Sequence, residues 1–377
     1  MRRVLTLLVL ILSSMASAQQ PNQPGATLQI DGQNGPPWPV PFTWRTAVSE
    51  TVTLSGQPNA PFLLAAAPQL CPGCINAFGG TFDLDPLTAA IIADGLTQPG
   101  TFFLDTAGSW GVSLVLPQSM PPGSTAGIQA LVQDLGSPSG LSFSAAWDIS
   151  VTQGPTIINL PLADNSFFPV MLPAGMVFPF YDTDYTTIYV NSNGSISFTN
   201  GDTDFTPTPA EFLSGVPKVA GYWADISPQA GGTVRVIFDT VPYPKVRVEF
   251  DQVPDRPNLA GVVFGAPHTF YMEVVAVTGA GDLDLIYTPF TFPSVVPTIC
   301  GISPGFGLDA SPQKDLSQIV LSGGQTGGFY ESFYEWFGQT NMPGYTPTQN
   351  NFFDLDTFTL SFTGVSLGTP NPRYNLN

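Results

Sequence analysis

Charge is scarce in this sequence. Its 377 residues carry ten Lys and Arg, 28 Asp and Glu and one His. Scarce Lys, Arg and Glu leave few good helix formers for an exposed face. In their place stand 38 Gly and 39 Pro, which punctuate a chain into short strands and turns. The net charge of −18 repels phosphate backbones and excludes nucleic acid as a partner. Long apolar runs are lacking too. The run at residues 4–12 is too short to span a bilayer, so no transmembrane anchor is expected. Cysteine is nearly absent, at three residues, and a chain of this length buries real cores without a disulfide framework.

What is present at the N-terminus is a targeting pattern. Arg2 and Arg3 precede the apolar run, and Ala16-Ser17-Ala18 follows it. That is a secretory signal peptide over residues 1–18, with the mature chain starting at Gln19. Without Arg2 and Arg3, eight bases face 28 acids, a net charge of −20. The mature protein is therefore expected to be secreted and soluble. Cys71-Pro72-Gly73-Cys74 in an exported chain predicts a local disulfide. A redox site would need a βαβ setting, which the flanking sequence lacks. Zinc would need two further ligands. Cys300 sits among apolar residues and is expected to pack as a small buried hydrophobe.

Residues 19–40 are rich in Gln, Pro, Gly and Asn, the composition of a flexible leader. From 41 to 153 the pattern is alternating. Thr51-Val52-Thr53-Leu54, Gly111-Val112-Ser113-Leu114-Val115-Leu116 and Leu141-Ser142-Phe143-Ser144 all mark half-buried strands. This is expected to be a small β-sandwich domain, closing at Gln153-Gly154-Pro155. A second β domain runs over 156–366, followed by a polar tail over 367–377. In it Lys245-Val246-Arg247-Val248-Glu249-Phe250-Asp251 puts apolar side chains on one face. Residues 268–277 and 282–287 are further strand candidates. Thr208-Pro209-Ala210-Glu211 has capping-box spacing for a short helix ended by Gly215. A second helix is predicted over 329–337, ended by Gly338. The fold class is thus all-β: two β-sandwich-like domains, the second with one or two short helices.

The second region carries an ordered series of signatures. Phe178-Pro179-Phe180-Tyr181 comes first, then Thr187-Ile188-Tyr189-Val190-Asn191-Ser192-Asn193-Gly194-Ser195-Ile196-Ser197-Phe198. Val219-Ala220-Gly221-Tyr222-Trp223-Ala224-Asp225-Ile226, Gly231-Gly232-Thr233-Val234, Thr269-Phe270-Tyr271-Met272-Glu273-Val274 and Asp284-Leu285-Ile286-Tyr287 follow. Gly301-Ile302-Ser303 and Phe353-Asp354-Leu355 close it. In order and spacing this resembles a nidogen-like (NIDO) extracellular domain of the bacterial variety, over roughly residues 160–366. The resemblance implies an extracellular interaction or structural module, without established catalytic residues or a universal cofactor. Physical chemistry supports its centre independently. Asn193-Gly194 between alternating residues is a strong hairpin signal, here expected as a type I′ turn. Ile188, Val190, Ile196 and Phe198 would share its buried face, and Trp223 beside Tyr222 is expected to pack in the core.

Other motifs weigh less. Gly301-Ile302-Ser303-Pro304-Gly305 has the letters of a nucleophile elbow. Pro304 follows the serine, however, and no His lies downstream, so a serine hydrolase is not expected. His268, upstream, is expected at a surface or strand edge. The pairs Asp182/Asp184, Asp202/Asp204, Asp282/Asp284 and Asp354/Asp356 could contribute to a calcium site, but none extends to the six or more oxygens such a site takes. Turn capping is the simpler role, and no cofactor is assigned. Paired carboxylates also serve glycosidases, but no pair stands out here. The cluster Phe329, Tyr330, Phe333, Tyr334, Trp336 and Phe337 is the most unusual stretch. On a helix Phe329, Phe333 and Trp336 would share a core-facing stripe. Where exposed, Tyr334 and Trp336 would be ligand-contact aromatics. The expected function is non-catalytic: a secreted structural, adhesion or binding protein with an extracellular protein or glycan partner. A carbohydrate-binding module built on exposed aromatics is the alternative, and a secreted hydrolase comes third.

Overall fold

The computed structural model describes residues 25–34, 39–78, 80–98, 100–181, 183–256, 267–275, 281–289, 297–338, 351, 353–365 and 373–377. The expected signal peptide lies outside these. The chain divides after Pro155 into two compact units, and in both the regular structure is almost wholly strand.

The first unit sets two sheets face to face. One orders Gln33–Asn34, Thr27–Ile30, Ser49–Ser55 and Ser109–Val115. The other orders Val40–Arg45, Trp147–Thr152, Thr125–Gln133, Phe62–Ala67 and Ala90–Asp94, with Leu141–Phe143 also paired to Thr125–Gln133. Alternation decides what faces inward. Trp147, Ile149 and Val151 are buried, while Asp148, Ser150 and Thr152 are exposed, the period of a half-buried strand. Trp147 meets Phe42 edge-on, with centroids 5.8 Å apart. Its Nε1 donates to the Leu28 carbonyl at 3.0 Å, which satisfies the indole in the core. A separate hairpin pairs Leu70–Ala77 with Gly80–Leu84. The predicted flexible leader over 19–40 is corrected here. Thr27–Ile30 pairs with Ser49–Ser55 and buries Leu28 and Ile30. Two apolar residues in a polar, Gly-rich stretch are too short a signal to reveal a strand that pairing completes.

The second unit is a larger sandwich. Its eight-stranded sheet orders Thr156–Asn159, Thr233–Asp239, Lys245–Pro254, Pro267–Val275, Asp282–Tyr287, Thr359–Val365, Arg373–Leu376 and Gln325–Thr326. The facing six-stranded sheet orders Phe167–Met171, Thr187–Asn191, Ser195–Ser197, Lys218–Trp223, Thr298–Ser303 and Phe333–Phe337. Val246, Val248 and Phe250 enter the core as their alternation requires. Phe250 stacks on Phe270 across the strands at 4.8 Å. On the other face the charges form cross-strand pairs. Arg235 pairs with Glu249, and Arg247 pairs with Glu273 at 2.6 Å, so opposite charges stand directly across the ladder.

Local chemistry accounts for the two short helices. Pro209–Ser214 starts at Thr208, whose Oγ1 accepts from Glu211 N at 3.2 Å and meets the Glu211 carboxylate at 2.7 Å. This is the N-cap half of the predicted capping box; the carboxylate takes the Thr208 hydroxyl. Leu316–Leu321 starts at Asp315, which accepts from Gln318 N at 2.8 Å. No signal had marked it. Among the described residues, no helix is long and apolar enough to cross a membrane.

Four further expectations are corrected. The stretch predicted helical over 329–337 is the strand Phe333–Phe337, paired with Thr298–Ser303. Neighbouring structure covers both of its faces, so no alternation betrays it and the aromatics mimic a helical stripe. The polar tail over 367–377 supplies Arg373–Leu376, which pairs with Thr359–Val365 and buries Tyr374 and Leu376. The Asn193-Gly194 hairpin forms, but with a three-residue loop. Asn191 pairs with Ser195, and Gly194 alone takes positive φ, +81°, as in a loop that closes through a left-handed glycine. A side chain on Gly194 would stand 2.0 Å from the Tyr222 carbonyl. Finally, His268 is buried, at 1% exposure, on the same strand as buried Phe270 and Met272.

Candidate functional site

The sequence-flagged chemistry is dispersed and tied into the fold. His268 Nε2 lies 3.0 Å from Asp255 Oδ2 and 3.4 Å from the hydroxyl of buried Tyr222. Ser303, buried in its strand, accepts from Gly305 N at 3.1 Å and from Ser332 Oγ at 3.3 Å. Cys300 Sγ donates to the Gly221 carbonyl at 3.2 Å, and burial pushes its thiol well above the usual range. Cys71 and Cys74 are joined as a disulfide. Tyr334 is 3% exposed, 5.4 Å from Phe212, and donates to the Ser311 carbonyl. Trp336 is half-buried against the same cluster. Neither offers the open face expected of a ligand platform.

The acidic pairs act as caps and ion-pair partners. Asp202 pairs with Lys218 and accepts from Asp204 N at 2.9 Å. Asp204 accepts from Thr206 N and Oγ1, both at 2.8 Å. Asp354 accepts from Ser317 Oγ at 2.8 Å. Asp184 is exposed, and Asp182 lies outside the described residues. Among the described residues, no three His, Cys, Asp or Glu side chains are grouped to hold a metal.

Two buried carboxyls give stability a pH dependence. Burial pushes Glu335 up to about 7, against hydrogen bonds from Asn351 Nδ2 and Leu316 N, both at 2.8 Å. Burial likewise pushes Asp225 up to about 6, with Arg256 pulling it down and Asp164 and Asp255 adding to the rise. An acid whose folded pKa is raised binds more protons folded than unfolded, so stability falls as pH rises through the interval. For Glu335 the interval runs from 4.5 to about 7, worth about 3 kcal/mol. Denaturant melts across that range should show the decline, and Glu335→Gln should lessen it, leaving the part due to Asp225. A wild-type profile that is level or rising there would show that this carboxyl is not desolvated.

One surface feature does gather side chains. The hairpin Phe178–Phe180 to Thr183–Tyr185 buries Phe178 and Phe180 against Phe198, 4.8 and 4.5 Å away. Its turn projects Tyr181, and its second strand Tyr185. The Tyr181 hydroxyl donates to the Glu331 carbonyl at 2.7 Å, and burial raises its pKa well above the ordinary value, so it stays a donor. Its ring lies nearly parallel to Tyr330, 17° off with centroids 6.2 Å apart. Opposite runs the loop after Ser303. Phe306 N and Gly307 N donate to the carbonyls of Gly215 and Leu213 at 2.6 and 2.9 Å, which holds Phe306 out at 58% exposure. With Pro217 and Pro304, these aromatics line a cleft of about 80 Å³.

The backbone around this cleft is strained. Tyr181, Phe306 and Tyr330 sit at φ +52°, +56° and +52°. Bulky side chains rarely enter that region, each such residue costs about 1–3 kcal/mol, and strain of this kind collects at functional sites. The nearby fold holds it in place. Lys314 pairs with Glu331 at 2.7 Å, and Asp309 accepts from Ser332 N at 2.7 Å. Burial pushes Asp309 up, but the Ser332 and Ser311 hydrogen bonds outweigh it and hold this carboxyl below the usual range. The segment flagged by the sequence contributes Tyr330 to the cleft lining, while Tyr334 is buried and Trp336 half-buried elsewhere. The left-handed positions were hinted at by the glycines of Gly327-Gly328-Phe329-Tyr330 and Pro304-Gly305-Phe306-Gly307.

All-β sandwich architecture with an aromatic cleft defines the class. Residues 144–289 match the family described as NIDO related, and a nidogen-like domain occupies this segment. The match ends at residue 289, short of the expected 366, although the strands from Thr298–Ser303 to Arg373–Leu376 complete the same two sheets. Among solved structures, the major pilin subunit of Bacillus cereus is similar at 12% identity. That likeness covers 64% of this chain and 65% of that one, with a TM-score of 0.18. Dimeric latent PorU from Porphyromonas gingivalis is similar at 12% identity, over 94% of this chain and 34% of that one, with a TM-score of 0.19. Scores this low carry no argument about this chain.

Proposed function

We propose that this chain is an exported, non-catalytic binding protein of a structural or adhesive kind, and that its nidogen-like unit makes contact through the aromatic cleft. The observation that carries this is the set of three left-handed aromatic residues, Tyr181, Phe306 and Tyr330, turned to one cleft. A fold keeps such strain where the position of the ring matters more than the stability it costs. The family match adds an extracellular type of domain. The partner is an extracellular protein or glycan.

The test is a glycan and envelope-protein binding screen with the mature protein, in calcium and in chelator. Tyr330→Gly and Phe306→Gly remove the rings at backbone positions that glycine adopts freely. Each variant should melt no lower than wild type, yet bind at least tenfold more weakly. Ligands found by the screen that bind both variants as tightly as wild type would remove the cleft from the proposal.

A further inference from the structure

The first unit has an apolar chamber that the cleft does not explain. The strands Phe62–Ala67 and Thr125–Gln133 bury Phe62, Leu64, Ala130 and Val132 in the main core. Their other face carries Leu63, Ala65 and Leu131, and here the sheet is roofed by the hairpin Leu70–Ala77 to Gly80–Leu84. Between roof and sheet lies a cavity of about 340 Å³, walled by Ile75, Phe78, Phe82, Ile91 and Phe143 among others. Among the described residues, no charged one lines it.

The roof is held at its height. Gln129, buried in the floor, accepts from Asp83 N at 2.8 Å and donates to the carbonyls of Thr81 and Ser144 at 2.8 and 3.0 Å. Asp83 in turn accepts from Gly73 N at 2.7 Å and Thr81 Oγ1 at 3.1 Å. Gly73 lies within the Cys71–Cys74 disulfide loop. These bonds fix the hairpin to the sheet and keep it from collapsing onto the floor. They also occupy both amide hydrogens of Gln129 and one lone pair of its oxygen, which leaves that side chain no donor to offer an occupant.

We propose that this cavity binds one unbranched hydrocarbon chain, the alkyl or acyl tail of a free single-chain amphiphile. An uncharged wall whose amide hydrogens are both spent selects against charged groups and hydrogen-bond acceptors, which would enter without partners. Cavities lined by such side chains stay dry, and one of about 150 Å³ already takes up benzene. The volume here is at the low end of ligand pockets, about 300–1,000 Å³, enough for one chain rather than the paired chains of a bilayer lipid. The open side is apolar as well: lining Ile91 is itself 41% exposed.

Calorimetric titration of the full mature chain with hexanol, dodecanol and hexadecanol tests this. One-to-one saturable binding should strengthen at least tenfold from hexanol to dodecanol and then level off as the chain outgrows the cavity. Ala65→Phe in the floor and Ala89→Phe at the half-buried side should each weaken dodecanol binding at least tenfold with an unchanged far-ultraviolet spectrum. Tyr330→Gly, in the other unit, should leave it unchanged, so this proposal and the cleft can fail separately. Absent or non-saturable binding would overturn the proposal, and so would affinity that keeps climbing with chain length. Association with phosphatidylglycerol vesicles in place of dodecanol would overturn it too, by making the apolar rim a membrane contact.

Discussion

Asp202→Ala should lower the unfolding free energy by about 3–5 kcal/mol, the usual cost of stranding one member of a buried ion pair. Lys218 is 2% exposed, and burial depresses its pKa against the pull of Asp202. Its ammonium lies over the Trp223 ring, 3.4 Å from the centroid. Without Asp202 the charge would keep that ring and the fields of Asp204 and Glu211, too little to replace a direct carboxylate. Adding Lys218→Met should recover most of the loss, because an apolar chain needs no partner there. Guanidinium melts of the two singles and the double give the coupling directly. The contrasting pair is Arg256–Asp164, in which Arg256 is 46% exposed. Breaking that one should cost about 1 kcal/mol or less. A loss below about 1 kcal/mol for Asp202→Ala would mean that water reaches Lys218 and that the pair is a surface feature.

That pair also shows where the sequence ran out of information. Strands with alternation on a one-sided face were legible: 245–251 put Val246, Val248 and Phe250 into the core as expected. The capping box at Thr208 was legible because it is local. Elements whose burial is settled only by distant partners were not. Phe333–Phe337 is covered on both faces, which erased its period of two. Thr27–Ile30 and Arg373–Leu376 are short strands in polar surroundings, made stable by partners 22–28 and 8–14 residues away in sequence. Lys218 and His268 appeared as ordinary polar residues, since nothing local says that a sheet will close over them. The cleft was half legible. Its Phe178-Pro179-Phe180-Tyr181 and Phe329-Tyr330 were noted, but they meet only through pairings that span about 150 residues.

Gly301→Ala should cost more than about 4 kcal/mol, a size reserved for identifiable structural breaks. Gly301 takes φ +134° opposite Tyr334. A Cβ there would stand 2.0 Å from the Phe333 carbonyl oxygen and 2.6 Å from Tyr334 Cα. Both are main-chain atoms, so no side chain can rotate away, and the last two strands of the six-stranded sheet must part. Phe333 and Phe337 would leave the core with their strand, and Tyr330, three residues before it, would lose its place in the cleft. Loss of stability and loss of cleft binding should therefore come together. Ser303→Ala, two residues on, removes only the contacts to Gly305 N and Ser332 Oγ, about 1–2 kcal/mol, and should leave binding intact. The comparison separates the two meanings of the Gly301-Ile302-Ser303 sequence. If the glycine is there for close strand approach, position 301 is intolerant and position 303 forgiving. A well-folded Ser303→Ala protein that had lost a hydrolytic activity of the wild type would reverse that assignment and end the non-catalytic proposal.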